Sequence, residues 1–193
     1  MARVIEYNPQ KVLLKTMEIF WDKGYESTSI QNIVVATGLK PGSIYAAYKS
    51  KEGLFKAVIE MYTANSLQMI TDVLTKDNDT VQNIQNFLNA VITDVIEKDE
   101  HGGCLLVKTL LVVSHKDEKI QQQIVQFYKV MQPILESALN KAKKEGLTNV
   151  DVPVFVDFIF STIYGSHVHY KTFKDISVPK QNVQMIMDNL KRI

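Results

Sequence analysis

With 193 residues, 46% apolar and 22% charged, the chain has the make-up of an ordinary globular protein of one or two domains, and no low-complexity tract or internal repeat interrupts it. A formal net charge of +1 argues against a protein that coats nucleic acid indiscriminately, and a single cysteine excludes an intrachain disulfide or a multi-cysteine zinc site. With no leader pattern and no apolar run of about 18 residues, no membrane partner and a cytoplasmic location are expected.

In chain order, the first helix is expected from about Asn8 to Lys23. Asn8 serves as cap, Pro9 suits the first turn and Gly24 stops it. Val12, Leu13, Thr16, Ile19 and Phe20 recur at helical spacing as a base for two further helices, with Trp21 partly exposed. Next come two short apolar runs, Ile30/Ile33/Val34 and Ile44/Ala47/Tyr48, each too short to be stable alone. Gly38 between them supplies the left-handed conformation of a tight turn, and Leu39 can plug the angle, which makes a helix-turn-helix. The second helix starts at Lys40 or Pro41. Proline suits that position, whereas Lys40 in place of a hydroxyl cap costs about 1 kcal/mol.

This second helix leaves Lys40, Gly42, Ser43, Tyr45 and Ala46 for its outer face, a surface without a carboxylate that can enter a groove. Ser50 caps the next helix and places Lys51 in its first turn, where the helix dipole disfavours a cation. A bound phosphate removes that penalty, so Lys51 and the helix N-terminus are expected to form a phosphate clamp, with Tyr45 adding a hydroxyl. Up to Lys56 the chain has eight Lys and Arg against five Asp and Glu, so the basic excess lies with this motif. The nucleic-acid surface is expected to comprise Ser29, Gln31, Lys40, Pro41, Gly42, Ser43, Tyr45, Ala46 and Lys51, with Gln31 and Ser43 selecting bases.

The fourth helix continues from Ser50 through Leu54, Phe55, Val58, Ile59 and Tyr62 toward Met69, Ile70 and Leu74, with no linker to divide the chain. After the polar break Lys76-Asp77-Asn78-Asp79, Thr80 is expected to cap a helix reaching Glu97, and Gly102-Gly103 to end the connection. Cys104 to Val113 reads as a short, mostly buried helix, and about Asp117 to Glu145 as a long one kinked by Pro133. A last pair begins near Pro153 and Pro179. Phe158, Ser161 and Gly165 on one, and the stripe Val183, Ile186, Met187 and Leu190 on the other, are expected to bury against a second copy of the chain. His101, His115, His167 and His169 have no metal-ligand spacing, and no nucleophile elbow or phosphate-binding glycine loop is present, so neither a metal, a cofactor nor an enzyme is expected.

Gly24-Tyr25, Ser27-Thr28-Ser29-Ile30, Ile33, Ala36, Gly38, Pro41-Gly42-Ser43-Ile44-Tyr45, Tyr48 and Ser50-Lys51-Glu52-Gly53-Leu54-Phe55 resemble the N-terminal signature of the tetracycline-repressor (TetR) family. The chain departs from it at Val34 and Thr37, where alanines are usual, at Lys40, where Ser or Thr is, and at Ala47, where His or Tyr often stands. The resemblance implies an all-α fold of about nine helices: a three-helix DNA-binding domain over residues 1–50, joined by a continuous helix to a ligand-binding and dimerisation domain over 51–193. It also implies a homodimeric repressor, released from a palindromic operator by a small, largely apolar effector among the central helices. Phe87, Val91, Cys104, Lys108, Tyr128, Met131, Phe158 and Thr162 are the expected lining, with Lys108 or Tyr128 as polar anchor. The expected mechanism is a change in the spacing of two reading helices about 34 Å apart, worth about 1–3 kcal/mol of coupling. Two alternatives stand beside it: a redox or electrophile sensor acting through Cys104, and a ligand-binding protein that does not use DNA.

Overall fold

The computed structural model describes residues 7–76, 79–97, 104–112 and 118–191. The expected positions Asp77, Asn78, His101, Gly102, Gly103, Val113, His115 and Asp117 lie outside them. The described residues fold into helices alone, nine in number, in two compact units: Met1–Ala64 with Lys108–Gln123, and Asn65–Val107 with Ile124–Ile193.

In the first unit, helix α1 (Pro9–Lys23) starts as its sequence dictates. The Asn8 side chain accepts from the Lys11 N–H (3.2 Å) and Pro9 occupies the first turn. Helix α2 (Ile30–Thr37) opens on a reciprocal cap: Asn32 N–H donates to Ser29 Oγ (3.1 Å) and Ser29 N–H to Asn32 Oδ1 (2.9 Å). Gly38, at φ 75°, turns the chain toward α3 (Pro41–Tyr48), and its N–H satisfies the Val34 carbonyl at 2.8 Å. Lys40 makes no side-chain cap. Neither short helix can stand alone, and each pins itself by one fully buried isoleucine, Ile33 in α2 and Ile44 in α3. Around them close Phe20, Leu54, Phe55, Val58 and Ile59 from α1 and α4, all fully buried.

Helix α4 (Lys51–Leu74) carries the chain from the first unit into the second. Its start is tight. Ser50 Oγ accepts from the Gly53 N–H at 3.0 Å, and a Cβ on Gly53 would stand 2.1 Å from the Tyr48 carbonyl oxygen. Backbone cannot yield as a flexible side chain can, so Gly53→Ala is expected to cost about 1–3 kcal/mol. Alanine's helix advantage of about 1 kcal/mol offsets only part of the clash. Thermal unfolding measures the loss, and a variant as stable as the parent would show that the α3–α4 corner can open freely.

In the second unit, α5 (Thr80–Leu88) runs without a break through a π-helical stretch (Asn89–Asp94) into a last turn (Val95–Glu97). Its cap is Asp79, one residue before the expected Thr80: the carboxylate accepts from Val81 and Gln82 N–H at 2.9 and 3.1 Å, while Thr80 is buried as the first helical residue. Helix α6 (Leu105–Val112), which belongs to this unit up to Val107 and to the first from Lys108 on, buries Leu105, Leu106, Val107 and Thr109. Helix α7 (Glu118–Lys144) holds Pro133 in its interior. Helices α8 (Val152–Phe173), capped by Asp151, and α9 (Ser177–Leu190) pack on each other and on the π stretch of α5. There the buried His167 donates from Nε2 to the Val91 carbonyl at 2.8 Å. Among the described residues no helix is long and apolar enough to cross a membrane.

Candidate nucleic-acid interface

The three-helix head buries its apolar side and turns one polar face outward. Along α3 only Ile44 is buried; Lys40, Pro41, Gly42, Ser43, Tyr45 and Ala46 are exposed, as are Ser29 and Gln31 at the start of α2. These eight expected residues share the surface formed by the reading helix and the entry of its partner helix. The Ser29 hydroxyl is engaged in the α2 cap, donating to Asn32 Oδ1 at 2.9 Å, so it serves the helix start first. Lys49, passed over in the sequence, ends α3 at φ 71° and donates from Nζ to the Ala46 carbonyl at 3.2 Å. Burial, with the neighbouring Tyr7 adding to it, pushes the Tyr48 hydroxyl above the ordinary phenol range.

The ninth residue, Lys51, is half-buried at the start of α4. Its ammonium turns back into the head and donates to the carbonyls of Tyr25 (3.0 Å), Thr28 (3.0 Å) and Glu26 (3.5 Å), lying over the Tyr25 ring at 4.4 Å. The dipole penalty at the start of α4 is met by these carbonyls and by Glu52 in the same turn.

The Lys108 ammonium donates to the Trp21 and Asp22 carbonyls at the end of α1, the Asp22 contact at 3.3 Å. Carbonyls in a helix's last turn have no intrahelical partner and attract such a donor. The remaining lining residues divide. Tyr128 packs edge-on against Phe127, Phe160 and Tyr164, with centroids 5.4, 5.8 and 5.1 Å away, and Cys104, half-buried, lies in the same neighbourhood. Burial pushes Tyr164 up to about 12; a hydrogen bond with Tyr128 opposes that shift and the Cys104 thiol adds to it. Phe87 and Met131 are buried core, Val91 holds His167, and the Thr162 hydroxyl donates to the Phe158 carbonyl at 2.8 Å. A groove of about 470 Å³ between the end of α4 and α7 is lined by Thr71, Leu74, Thr75, Pro133, Ile134, Ser137, Ala138 and Lys141, none of them among the expected eight.

The expected pairing surfaces also divide. Val183, Ile186, Met187 and Leu190 are all buried inside the chain itself, against α8 and α5. Helix α8 keeps its outer stripe: Val154, Phe158, Ser161, Gly165, Val168 and Thr172 are exposed at alternating steps of four and three residues. Met185 on α9 is exposed as well.

Residues 12–58 match the family of bacterial regulatory proteins of the tetR type, and residues 80–186 match the tetracyclin repressor-like C-terminal domain. The transcriptional repressor ComR of Escherichia coli K12 is 26% identical over 165 residues, covering 84% of this chain and 79% of that protein. The TetR-family regulator CifR, in a cysteine mutant solved with a 26 bp operator duplex, superposes with a TM-score of 0.80 at 20% identity over 99% of both chains. FadR of Bacillus subtilis, solved with stearoyl-CoA, gives 0.77 at 16% identity, over 96% of this chain and 98% of its own. At those identities the two structures speak for the fold, while the two domain matches together span most of the sequence. The chain therefore belongs to the TetR family of bacterial regulatory proteins, as a non-enzymatic, DNA-binding regulator of transcription.

Proposed function

We propose that the protein is a homodimeric repressor that leaves its operator when a small, largely apolar molecule binds. One observation carries the DNA half of this reading: α3 spends a single side chain, Ile44, on the core and offers Lys40 to Ala46 to the outside without one carboxylate. Residues 1–50 read DNA, and 51–193 bind the effector and pair the subunits. Lys40 and the first N–H groups of α2 and α3 meet phosphates, Tyr45 adds a hydroxyl, and Gln31 and Ser43 meet base edges. The operator-bound state of CifR and the repressor activity named for ComR support the assignment.

The exposed α8 stripe supports a two-fold interface, since Ser161 and Gly165 let a second α8 approach while Val154, Phe158 and Val168 supply apolar area. Two copies then set their α3 helices in successive major grooves, about 34 Å apart, in the cytoplasm where the DNA is. The effector site takes its polar contacts from Tyr128, Tyr164 and Cys104 and its apolar ones from Phe87 and Met131. The acyl chain bound by FadR supports an apolar effector. Occupancy tilts α4 and alters the spacing of the α3 pair, a coupling of about 1–3 kcal/mol.

Selection of duplexes from a random library, followed by gel shift with and without candidate effectors, tests the whole reading; enrichment of no sequence would end it. With the selected duplex in hand, Gln31→Ala and Ser43→Ala are each expected to relax preference at their own base positions by about 1–3 kcal/mol, leaving scrambled-sequence binding nearly unchanged. Equal losses on operator and scrambled duplex would remove both from the base-reading role.

A further inference from the structure

We infer that Lys49, held in a left-handed turn where the reading helix ends, is a phosphate contact that strengthens DNA binding at every sequence, an inference that rests on the DNA-reading function proposed above. The observation behind it is a backbone conformation. Lys49 stands at φ 71°, ψ −41°, and the Ser50 N–H donates back across it to the Tyr48 carbonyl at 2.8 Å. That is a three-residue turn of the rarer, strained kind, which an L side chain resists and glycine accepts. Its neighbours hold the corner in this shape. The Lys49 N–H closes α3 on the Tyr45 carbonyl at 2.9 Å, the Gly53 N–H is fixed to Ser50 Oγ at 3.0 Å, and the Tyr48 carbonyl oxygen lies 2.1 Å from where a Cβ on Gly53 would stand.

A lysine in a place suited to glycine costs the folded head stability and returns little of it. The side chain is exposed, and its ammonium meets the Ala46 carbonyl on the outside of α3 at 3.2 Å, a surface hydrogen bond that water can replace. Strained positions that persist gather at functional sites, and the direction of this cation says which function. Ala46 belongs to the exposed reading face, so the Lys49 ammonium stands at the opposite end of that face from Lys40. The nine steps from Lys40 to Lys49, at about 1.5 Å each in a helix, put the two Cα atoms about 13 Å apart. A major groove is about 12 Å wide. A helix lying in it with a lysine at each end therefore meets phosphates on both sides, one cation at its entry and one at its exit. Contacts of this kind carry no base information, so they add affinity without preference. A lysine at a helix C-terminus also answers the helix dipole, and the test separates that role from the one inferred.

The test uses the full-length protein, the duplex it selects from a random library, and a scrambled duplex of equal length. Lys49→Gly, Lys49→Gln and Lys49→Arg are compared with the parent over a range of salt, below the unfolding temperature of each. Glycine removes the cation and the strain together; glutamine keeps the strain and can still donate to the Ala46 carbonyl, but carries no charge; arginine keeps the charge. Lys49→Gly is expected to unfold at or above the parent temperature. Even so, Lys49→Gly and Lys49→Gln are expected to bind both duplexes about tenfold more weakly at physiological salt, by the same factor on each. Their slope of log affinity against log salt is expected to be shallower by about 0.9 per subunit, while Lys49→Arg keeps the parent slope.

Parent affinity and parent slope in Lys49→Gly and Lys49→Gln would overturn the inference, and a lower unfolding temperature in Lys49→Gly beside them would reduce the side chain to a helix cap. A loss confined to the operator duplex, with scrambled binding intact, would make Lys49 a reader of bases and overturn it too. Should Lys49→Gly not fold, the affinities and slope of Lys49→Gln decide alone. A parent protein that enriches no duplex fails earlier, at the DNA-reading function itself, and takes this inference with it.

Discussion

Phe20→Ala is expected to destabilise the head by about 3–5 kcal/mol, a large share of the 5–15 kcal/mol or so that holds a typical domain together. Phe20 closes α1 and is almost wholly buried. It meets Phe55 edge-on at 4.8 Å and Tyr25 at 5.9 Å. Truncation leaves a ring-sized cavity between α1 and α4, and the two short helices, held by Ile33 and Ile44, have little propensity of their own to resist it. Tyr25 loses a wall at the same time, so the platform under the Lys51 ammonium loosens. Urea unfolding followed by circular dichroism, at one fixed protein concentration because the proposed subunit pairing would feed into stability, measures the loss. Operator binding should fall with it. A cost below about 1 kcal/mol would mean that the head closes over the gap, and that the aromatic centre is not what holds α1 to α4.

Gly165→Arg should leave the subunit folded and lower operator affinity by about 100-fold or more, the avidity lost when two reading heads are no longer joined. The position is exposed on α8, and a Cβ built there meets nothing within 4 Å, so the single chain has room for the larger side chain. Replacing a helical glycine even favours the isolated helix by a few tenths to about 1 kcal/mol. The harm arises only if a second α8 must come close at Gly165. Sedimentation velocity reads the assembly and gel shift reads the affinity. A variant that stays dimeric and binds the operator at full strength would move the two-fold interface off this stripe.

Local chemistry was legible residue by residue. Asn8-Pro9, Gly24, Gly38 and Pro41 each act within one turn of themselves, and the helices begin or end where those residues say. The cap of α5 falls one place before the expected one because Asp79 and Thr80 are adjacent and both able to cap; the carboxylate reached the two N–H groups. The exposed face of α3 was also visible in advance, since a helix of eight residues with one deep apolar anchor has little else to hide.

Other features depended on partners distant in sequence. The apolar stripe of α9 announced that Val183, Ile186, Met187 and Leu190 would be buried, but periodicity names no partner, and they pack inside their own subunit. Lys51 looked like a cation awaiting an anion and Lys108 like a polar anchor for a ligand, yet the carbonyls they meet lie 23 and 87 residues away. A chain by itself therefore determines where its helices start, which side of each is apolar and which family's pattern it carries, because those depend on neighbours within a turn or two. Which buried stripe faces which helix, and which lysine has its protons already committed, only the folded packing decides, because an orphan carbonyl becomes a partner only after two distant segments have been brought together.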